Sequence, residues 1–361
     1  MSLTQVQSGM FQTTAQYYGF KNRIINGGMV IDQRNNGSSV SLSSGSAFVL
    51  DRWRFWANGS GGSAAYTVQQ SSVAPNGFNN SVVITQTAAY SPTGFNYNIF
   101  AQYIEGYNVA DLGWGTSSAQ TVTLSFWVRS SLTGTFGGVI SNASQSRSYP
   151  FTYVINNANT WEQKSITIAG DTTGTWNKDI NAGILLFWQL GVGSSYLGTA
   201  GAWAGATYLG ATGATQITAT NGATFYITGV QLEVGTQATS FDYRPYGTEL
   251  QLCQRYLPAY NAPSTNFYVA NVFIYSTTGA VAVFEFPVTT RTAPTGITFS
   301  GTTQIDGTSN FTVSSVAFNT GSPYSGAVAL TGTGYVAGQA GAFLLKGATS
   351  ATQLLFTGCE L

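Results

Sequence analysis

The strongest constraint on the fold is a rhythm of short β-like runs and turns that continues through most of the chain. The runs hold about five to ten residues rich in β-branched and aromatic side chains, and Gly, Asn, Ser or Pro separates them. In 121–128 apolar and polar side chains alternate strictly, as in a strand with one face in a core. Residues 184–188 are apolar throughout, which predicts a central strand covered on both faces. Up to residue 236 the predicted strands are 64–70, 81–88, 97–105, 121–129, 135–141, 148–154, 162–168, 182–191 and 224–233.

Residues 225–256 mark the junction between two β domains. The apolar spacing predicts a half-buried strand with a register shift near Gly229 that a bulge would absorb. Residues 243–247 form a turn because proline fixes its own φ and restricts the residue before it. Thr248 then fits the N-cap of a short helix that ends at Pro258.

These signals predict an all-β chain. A jelly-roll β-sandwich would occupy 21–247, and a short helical linker would occupy 248–260. A second, smaller β-sandwich domain would follow in 261–361, as a distal tip or a trimerisation unit. Residues 1–20 are polar with scattered apolar anchors, which is typical of an attachment arm that orders against a partner and equally of a disordered leader. In the second domain the predicted strands are 266–276, 279–288, 296–302, 310–318, 325–331, 341–346 and 352–360.

The charged residues exclude several classes of function. The chain has 13 basic and 13 acidic residues, only 7% of residues are charged, and histidine is absent. No basic run is present, which argues against nucleic-acid binding. The missing histidine removes His-based triads, and the two cysteines, Cys253 and Cys359, do not make a zinc motif. No phosphate-binding loop is present, so no cofactor is expected. Two buried thiols are favoured over a disulfide, which the sequence leaves open.

Paired carboxylates are the only catalytic device that the composition leaves available. No two acidic residues lie in a context that suggests a catalytic pair, and Asp51 and Asp242 look like local partners of nearby arginines. The sequence therefore predicts a protein that is not an enzyme. No apolar run is long enough to span a bilayer, and MSLTQVQSGMF lacks the pattern of a signal peptide, so membrane insertion is not expected.

Aromatic side chains in turn-rich segments are the candidate binding residues. Tyr and Trp rings stack on sugars and form contact surfaces at low entropic cost. Residues 192–223 form an unusually long Gly/Ala/Thr loop, and such loops are often functional. Glycan contact and subunit packing are both open for the loop aromatics, whereas Trp53, Trp127 and Trp188 are expected in the core. The glycan-binding candidates are Tyr90, Phe95, Tyr97, Tyr196, Trp203 and Tyr208.

Four motifs carry a resemblance to a known family: INGGMVIDQRNNG, LDRWRFW, SFWVRS and ITGVQLEVGTQATSFDYRPYGTELQLCQRY. In this order they resemble tail-fibre or other appendage proteins of tailed bacteriophages, whose core domain is a jelly roll similar to carbohydrate-binding modules. The resemblance covers about residues 20–260. It implies a β-sandwich, a structural or adhesive role without catalysis, and frequent homotrimers. Related modules often hold calcium between the early Asn-Gly turn and a carboxylate of the last strand, which the stretch 226–230 lacks.

The sequence and the resemblance together lead to a functional hypothesis. The chain would be a structural component of a phage virion that contributes to attachment to a host-surface glycan. The arm at 1–20 would dock on other tail, baseplate or neck proteins, and the chain would form a homotrimer without nucleic-acid partners. A head or neck decoration protein, a polysaccharide depolymerase and a cellular carbohydrate-binding module are the alternatives.

Overall fold

The computed structural model describes residues 20–58, 65–262, 264–307, 310–347 and 351–361. The chain divides into two compact units, and the division falls between Arg244 and Pro245. Apart from Phe20, the predicted arm at 1–20 lies outside the described residues. Among the described residues, no helix has the length and apolar character needed to cross a bilayer.

The first unit is built from two six-stranded sheets. One sheet, called the first sheet, has the order β1-β4-β5-β14-β7-β10, and the other, called the second sheet, has the order β2-β3-β6-β11-β8-β9. The strands are β1 (Val40–Leu42), β2 (Gly45–Leu50), β3 (Trp53–Asn58), β4 (Ala65–Ser71), β5 (Ser81–Ala88), β6 (Tyr97–Glu105), β7 (Val122–Ser130), β8 (Gly134–Asn142), β9 (Ser148–Ile155), β10 (Glu162–Ile168), β11 (Ala182–Val192), β12 (Leu197–Gly198), β13 (Gly210–Ala211) and β14 (Thr224–Val234). Short 3₁₀ turns lie at Gly106–Asn108, Ala110–Leu112, Ser194–Tyr196 and Ile217–Ala219.

The strand order identifies the sandwich as a jelly roll. The eight strands that remain without β1 to β4 are β5-β14-β7-β10 in one sheet and β6-β11-β8-β9 in the other. Numbered along the chain from β5, and leaving out the two-residue strands, the orders are 1-8-3-6 and 2-7-4-5. Strands that alternate between sheets in this way form the two Greek keys of a jelly roll. The remaining four strands extend one edge of each sheet.

The core between the two sheets is dominated by aromatic rings. Trp53 and Trp188 are fully buried there, as predicted. Strand β11 lies between β6 and β8, and its alternate side chains enter apolar clusters on both faces of the sheet, which confirms the prediction for 184–188. The prediction for Trp127 was wrong. Because Phe126 and Val128 face the core, the side chain between them points away from it and is only half-buried.

The predicted bulge in the last strand of the sandwich is confirmed. The pairing of β14 with β7 shifts register between Thr228 and Gln231, and Gly229 has a positive φ of 61°. Glycine adopts this left-handed conformation without the strain that a side chain brings. Because the shift inserts residues on one strand only, Val230 and Leu232 return to the buried face.

Residues 22–31 cross one end of the sandwich without forming regular structure, and amide side chains satisfy their backbone. The Asn22 amide nitrogen donates to the Val230 carbonyl at 3.1 Å, and its oxygen accepts from the Leu232 N–H at 3.1 Å. The Gln102 side chain bonds both the N–H and the C=O of Ile25, at 3.0 and 2.8 Å. Buried polar backbone is costly unless it is bonded, so these amides fix the path of the segment.

Asn26 holds the Asn-Gly turn within that segment. Its φ is 57°, its amide nitrogen donates to the carbonyls of Ile31 and Asp51, and its own carbonyl accepts from the Trp53 indole at 2.8 Å. The Asp51 carboxylate itself accepts from the backbone and side chain of Gln33. The turn is therefore tied to Trp53, the first residue of β3, and to Asp51, which lies just before that strand.

The predicted local pairing of Asp242 is confirmed at the same end of the sandwich. Its carboxylate lies 3.8 Å from Nε of Arg244, and the guanidinium of Arg244 also donates to the carbonyls of Asn22 and Ile24. The ion pair and these hydrogen bonds attach the end of the first unit to the crossing segment.

The second unit begins with helix α1 (Tyr246–Gln254) and continues as β-structure. Its strands are β15 (Ala259–Ala262), β16 (Phe267–Ile274), β17 (Gly279–Glu285), β18 (Gly296–Ser300), β19 (Thr302–Asp306), β20 (Phe311–Gly321), β21 (Ser325–Gly332), β22 (Ala340–Lys346) and β23 (Thr352–Thr357). Six of them close into a barrel in the order β16-β17-β21-β20-β19-β22, and β15-β23-β18 form a separate three-stranded sheet. The predicted smaller all-β domain is therefore present, and its strands form a closed barrel and a separate small sheet.

The helix begins earlier than predicted. Pro245 occupies the N-cap position and its carbonyl accepts from the N–H of Glu249 at 3.0 Å, so the prediction of Thr248 as the N-cap was wrong. Proline suits the start of a helix because it has no N–H to leave unbonded. Cys253 and Cys359 are both buried and form no disulfide, and burial is the main cause that raises the pKa of the Cys359 thiol to about 11.

The contact between the Asn-Gly turn and the bulge predicts the effect of a single methyl group. A Cβ at Gly27 would lie 2.2 Å from the Val230 carbonyl oxygen, whereas a Cβ at the adjacent Gly28 would meet nothing closer than 3.9 Å. Gly27→Ala should therefore lower the free energy of unfolding by about 1–3 kcal/mol, and Gly28→Ala should change it little. All eight tryptophans precede Arg244, so urea unfolding followed by tryptophan fluorescence reports the first unit alone. Equal midpoints for the two variants would contradict this account.

Candidate functional site

The second sheet has an apolar outer face, on the side away from the sandwich core. A separate cluster lies there, formed by alternate residues of β6, β8 and β11, among them Ile99, Val139 and Phe187. Loop residues Leu197 and Leu209 pack on this cluster and cover part of it. The part near β2 and β3 carries half-buried rings and a cation instead, so this part of the face remains accessible.

A row of aromatic side chains, called the aromatic row, runs along this face. Trp56 and Tyr97 meet edge to face with ring centres 5.3 Å apart, and Tyr97 meets Tyr196 at 5.8 Å. Tyr196 in turn contacts Phe95 at 5.5 Å. Tyr97 is 8% exposed, Trp56 and Tyr196 are half-buried, and Phe95 is 66% exposed. The row thus runs from a ring held firmly in the sheet to a ring that projects into solvent.

Three rings surround the guanidinium of Arg54. Its central carbon lies 5.1 Å from the ring centre of Trp56, 5.6 Å from that of Tyr103 and 5.7 Å from that of Phe48. Cations are attracted to the negative faces of aromatic rings, so this stack orients the side chain flat on the sheet. Its Nε donates to the hydroxyl of Ser46 on the neighbouring strand.

Tyr97 and Tyr103 stay protonated across the neutral pH range. The pKa of Tyr97 is raised to about 12, chiefly by burial and also by the neighbouring Tyr196 and Tyr103, against the opposing charge of Arg54. Burial also raises the pKa of Tyr103, against the same opposing charge. Both phenols can therefore donate and accept hydrogen bonds without carrying charge.

The structure brings together three of the six candidate residues that the sequence suggested. Phe95, Tyr97 and Tyr196 belong to the aromatic row. Tyr90 is half-buried, packs against the main core, and its hydroxyl accepts from the Asn96 side chain. Tyr208 packs its ring over the backbone of Gly198, where a Cβ would lie 2.3 Å from the ring.

Trp203 lies in a different aromatic cluster, at one end of the sandwich. Its ring centre is 5.4 Å from those of Trp114, Trp176 and Tyr149, and the contacts are edge to face. Its indole N–H donates to the Ala169 carbonyl at 2.7 Å. The ring therefore anchors the long loop onto the body of the sandwich.

An ion pair lies beside that cluster, next to the strand that pairs with the loop. Arg147 donates to both carboxylate oxygens of Asp171, at 2.7 and 2.9 Å, and the Asp171 side chain is 3% exposed. The backbones of Ser148 and Ala204 exchange two hydrogen bonds nearby. The predicted functional loop, 192–223, is thus fixed along its length and supplies Tyr196 to the aromatic row from a supported position.

Sequence reasoning missed Phe48, Arg54, Trp56 and Tyr103. The signal was available in LDRWRFW. Because Trp53 and Phe55 face the core, the period of two places Arg54 and Trp56 on the other face, and an indole on a face otherwise expected to be polar indicates a contact surface. Tyr103 lacks such a signal, since apolar residues occupy both alternate sets of positions in 98–105 and do not show which face is exposed.

Several carboxylates are engaged in structural hydrogen bonds. Glu233 accepts from the Thr239 backbone and hydroxyl, at 2.8 and 2.6 Å. Asp111 bonds Arg23 at 2.6 Å. Within the described ranges no three Asp, Glu, Cys or His side chains lie close enough together to hold a metal ion.

Comparison with known proteins gives distant likenesses only. No model of a known protein family matches the chain, and no curated protein matches it. The enzymatically active domain of tailspike protein 4 of bacteriophage CBA120 is 14% identical, with a TM-score of 0.31, over 59% of this chain and 21% of that one. The module TmCBM61 in complex with β-1,4-galactotriose is 10% identical, with a TM-score of 0.29, over 60% of this chain and 99% of that one. The family 11 carbohydrate-binding module of the cellulase Lic26A-Cel5E of Clostridium thermocellum is 14% identical, with a TM-score of 0.27, over 55% of this chain and 99% of that one. At these values the likenesses transfer neither a ligand nor an activity.

The position of Trp203 predicts how the long loop responds to truncation. Trp203→Ala removes a half-buried ring from the cluster and should lower the free energy of unfolding by about 2 kcal/mol, less than full burial would give. It should also increase the rate of proteolytic cleavage within 199–208, where the loop loses its anchor. Trp161→Ala, which truncates a half-buried ring near the first sheet, is the control and should leave that cleavage rate unchanged. Equal cleavage in the two variants would show that the indole does not anchor the loop.

Proposed function

We propose that the chain binds glycans on the outer face of its second sheet. The observation that carries this proposal is the aromatic row, in which neighbouring rings are spaced 5.3–5.8 Å apart and exposure rises from the buried Tyr97 through Tyr196 to Phe95. Sugar rings present C–H groups that pack on aromatic faces, and such rigid side chains lose little entropy on contact. The neutral Tyr103 phenol and the Ser46 hydroxyl beside the row supply hydrogen bonds of the kind that sugar hydroxyls need.

We further propose that binding occurs without turnover. Hydrolysis of a glycosidic bond generally requires two carboxyl groups on opposite sides of the bond. The residues that form the accessible face include no Asp or Glu, and Asp51, on the turn that leads into β3, is occupied by Gln33. This arrangement supports adhesion and disfavours the depolymerase alternative.

A binding assay on a panel of bacterial surface polysaccharides tests both statements. Trp56→Ala should weaken binding about tenfold, because one aromatic contact contributes about 1.4 kcal/mol. Trp161→Ala removes an indole near the opposite sheet and should bind like the wild type. The polysaccharide should keep its length during incubation, as measured by size-exclusion chromatography. Binding that survives Trp56→Ala would refute the location of the site, and shortened chains would refute binding without turnover.

We also propose that the chain acts as a homotrimeric fibre or appendage of a tailed-phage virion. The support is the resemblance of INGGMVIDQRNNG, LDRWRFW, SFWVRS and the stretch from Ile227 to Tyr256. The low content of charged residues adds to it, because an uncharged surface keeps a protein soluble over a range of salt concentrations. Docking through residues 1–20 and a head or neck position both remain open within this proposal.

Two measurements test the assembly. The mass in solution should equal that of three chains, and gold particles bound to a C-terminal tag should lie on the tail appendages in images of virions. A monomeric mass would contradict the trimer, and labels on the head or neck would favour a decoration protein.

A further inference from the structure

Among the described residues, the accessible part of the second sheet's outer face carries a positive charge and no exposed carboxylate, since Glu105 on the same side of β6 is buried. The residues that form it are Ser46, Phe48, Arg54, Trp56, Tyr97, Tyr103, Tyr196 and Phe95. Arg54 forms no ion pair with a described residue, and Ser46 is its only hydrogen-bond partner there. Its other N–H groups are therefore available to solvent or to a ligand bound on this face.

The chemistry of this arrangement selects among possible ligands. A saccharide that lies along the aromatic row from Tyr196 to Trp56 also covers Arg54. A neutral saccharide would remove water from the guanidinium and offer only hydroxyl oxygens in return, which is a poor exchange for a charged group. An oxyanion substituent would instead accept two parallel N–H bonds from the planar guanidinium, which is the geometry that arginine favours.

Resting on the proposed function, we propose that this site is specific for acidic glycans, with Arg54 as the residue that recognises the oxyanion. The surrounding rings of Phe48, Trp56 and Tyr103 orient the guanidinium before the ligand arrives, so little side-chain entropy is lost on binding. Carboxylate, phosphate and sulfate substituents share this chemistry, and the experiment below separates them.

The test compares one polysaccharide in two forms. A polyuronate and its carboxyl-reduced, neutral derivative have the same linkages and differ in the anionic group. The full chain should bind the polyuronate at least about tenfold more tightly than the reduced form, and Arg54→Gln should abolish this preference. A phosphorylated and a sulfated glycan, titrated in parallel, establish which oxyanion is preferred. Raising the salt from about 0.05 to 0.5 M should weaken binding of the acidic form only.

Arg129→Gln is the matched control. The central guanidinium carbon of Arg129 lies 5.0 Å from the ring centre of Tyr226 on the opposite sheet. The variant therefore removes a ring-stacked arginine of equal charge that lies away from the proposed site. It should retain the full preference for the acidic form, and equal thermal midpoints would show that both variants are folded. If Arg54→Gln keeps the preference, or if the wild type binds both forms equally, the inference is overturned while the proposed function stands. If neither form nor any other glycan binds, the proposed function itself fails.

Discussion

The structure of the first unit depends on how the irregular backbone of residues 22–31 is hydrogen-bonded. This segment lies against a bulged strand, where sheet pairing is interrupted, so neither side can satisfy the other through a regular ladder. Asn22, Asn26 and Gln102 supply the missing donors and acceptors, and none of them carries a charge that would need a counterion inside the protein. Amides can donate and accept at once, which suits them to this position better than carboxylates.

The second sheet contributes both to the core of the sandwich and to the binding surface that we propose. β11 is apolar on both faces because the core covers one face and the long loop covers much of the other. The long loop does not cover β2 and β3, where aromatic rings and Arg54 stand in place of aliphatic side chains. The binding surface that we propose is therefore continuous with a packed cluster, and Tyr97 belongs to both. Packing against this cluster restricts the rotamers of such rings and so keeps their orientation.

Much of the fold could be predicted from local patterns, and the site could be predicted only in part. The bulge was predictable because apolar spacing breaks at Gly229, and β11 because five consecutive apolar residues need cover on both sides. Trp127 was expected in the core because it lies in a strand, but membership of a strand does not show which face a side chain occupies, and its place in the alternation puts it opposite the core. Phe95, Tyr97 and Tyr196 were recognised as aromatics in turns, but nothing in the linear sequence shows that residues a hundred positions apart share one sheet face. The role proposed for Arg54 depends on the rings of Phe48, Trp56 and Tyr103 around its guanidinium, and the linear sequence does not show these contacts.

Closure of the six-stranded barrel in the second unit has a consequence for crowding. Open sheet margins present unbonded N–H and C=O groups that can template the addition of a strand from another copy. The barrel has no such margin, and in the described part of this unit only β15 and β18 border a sheet on one side. Both are short, at four and five residues. Many copies of this unit held side by side would therefore have little backbone available for unintended strand exchange or fibril growth.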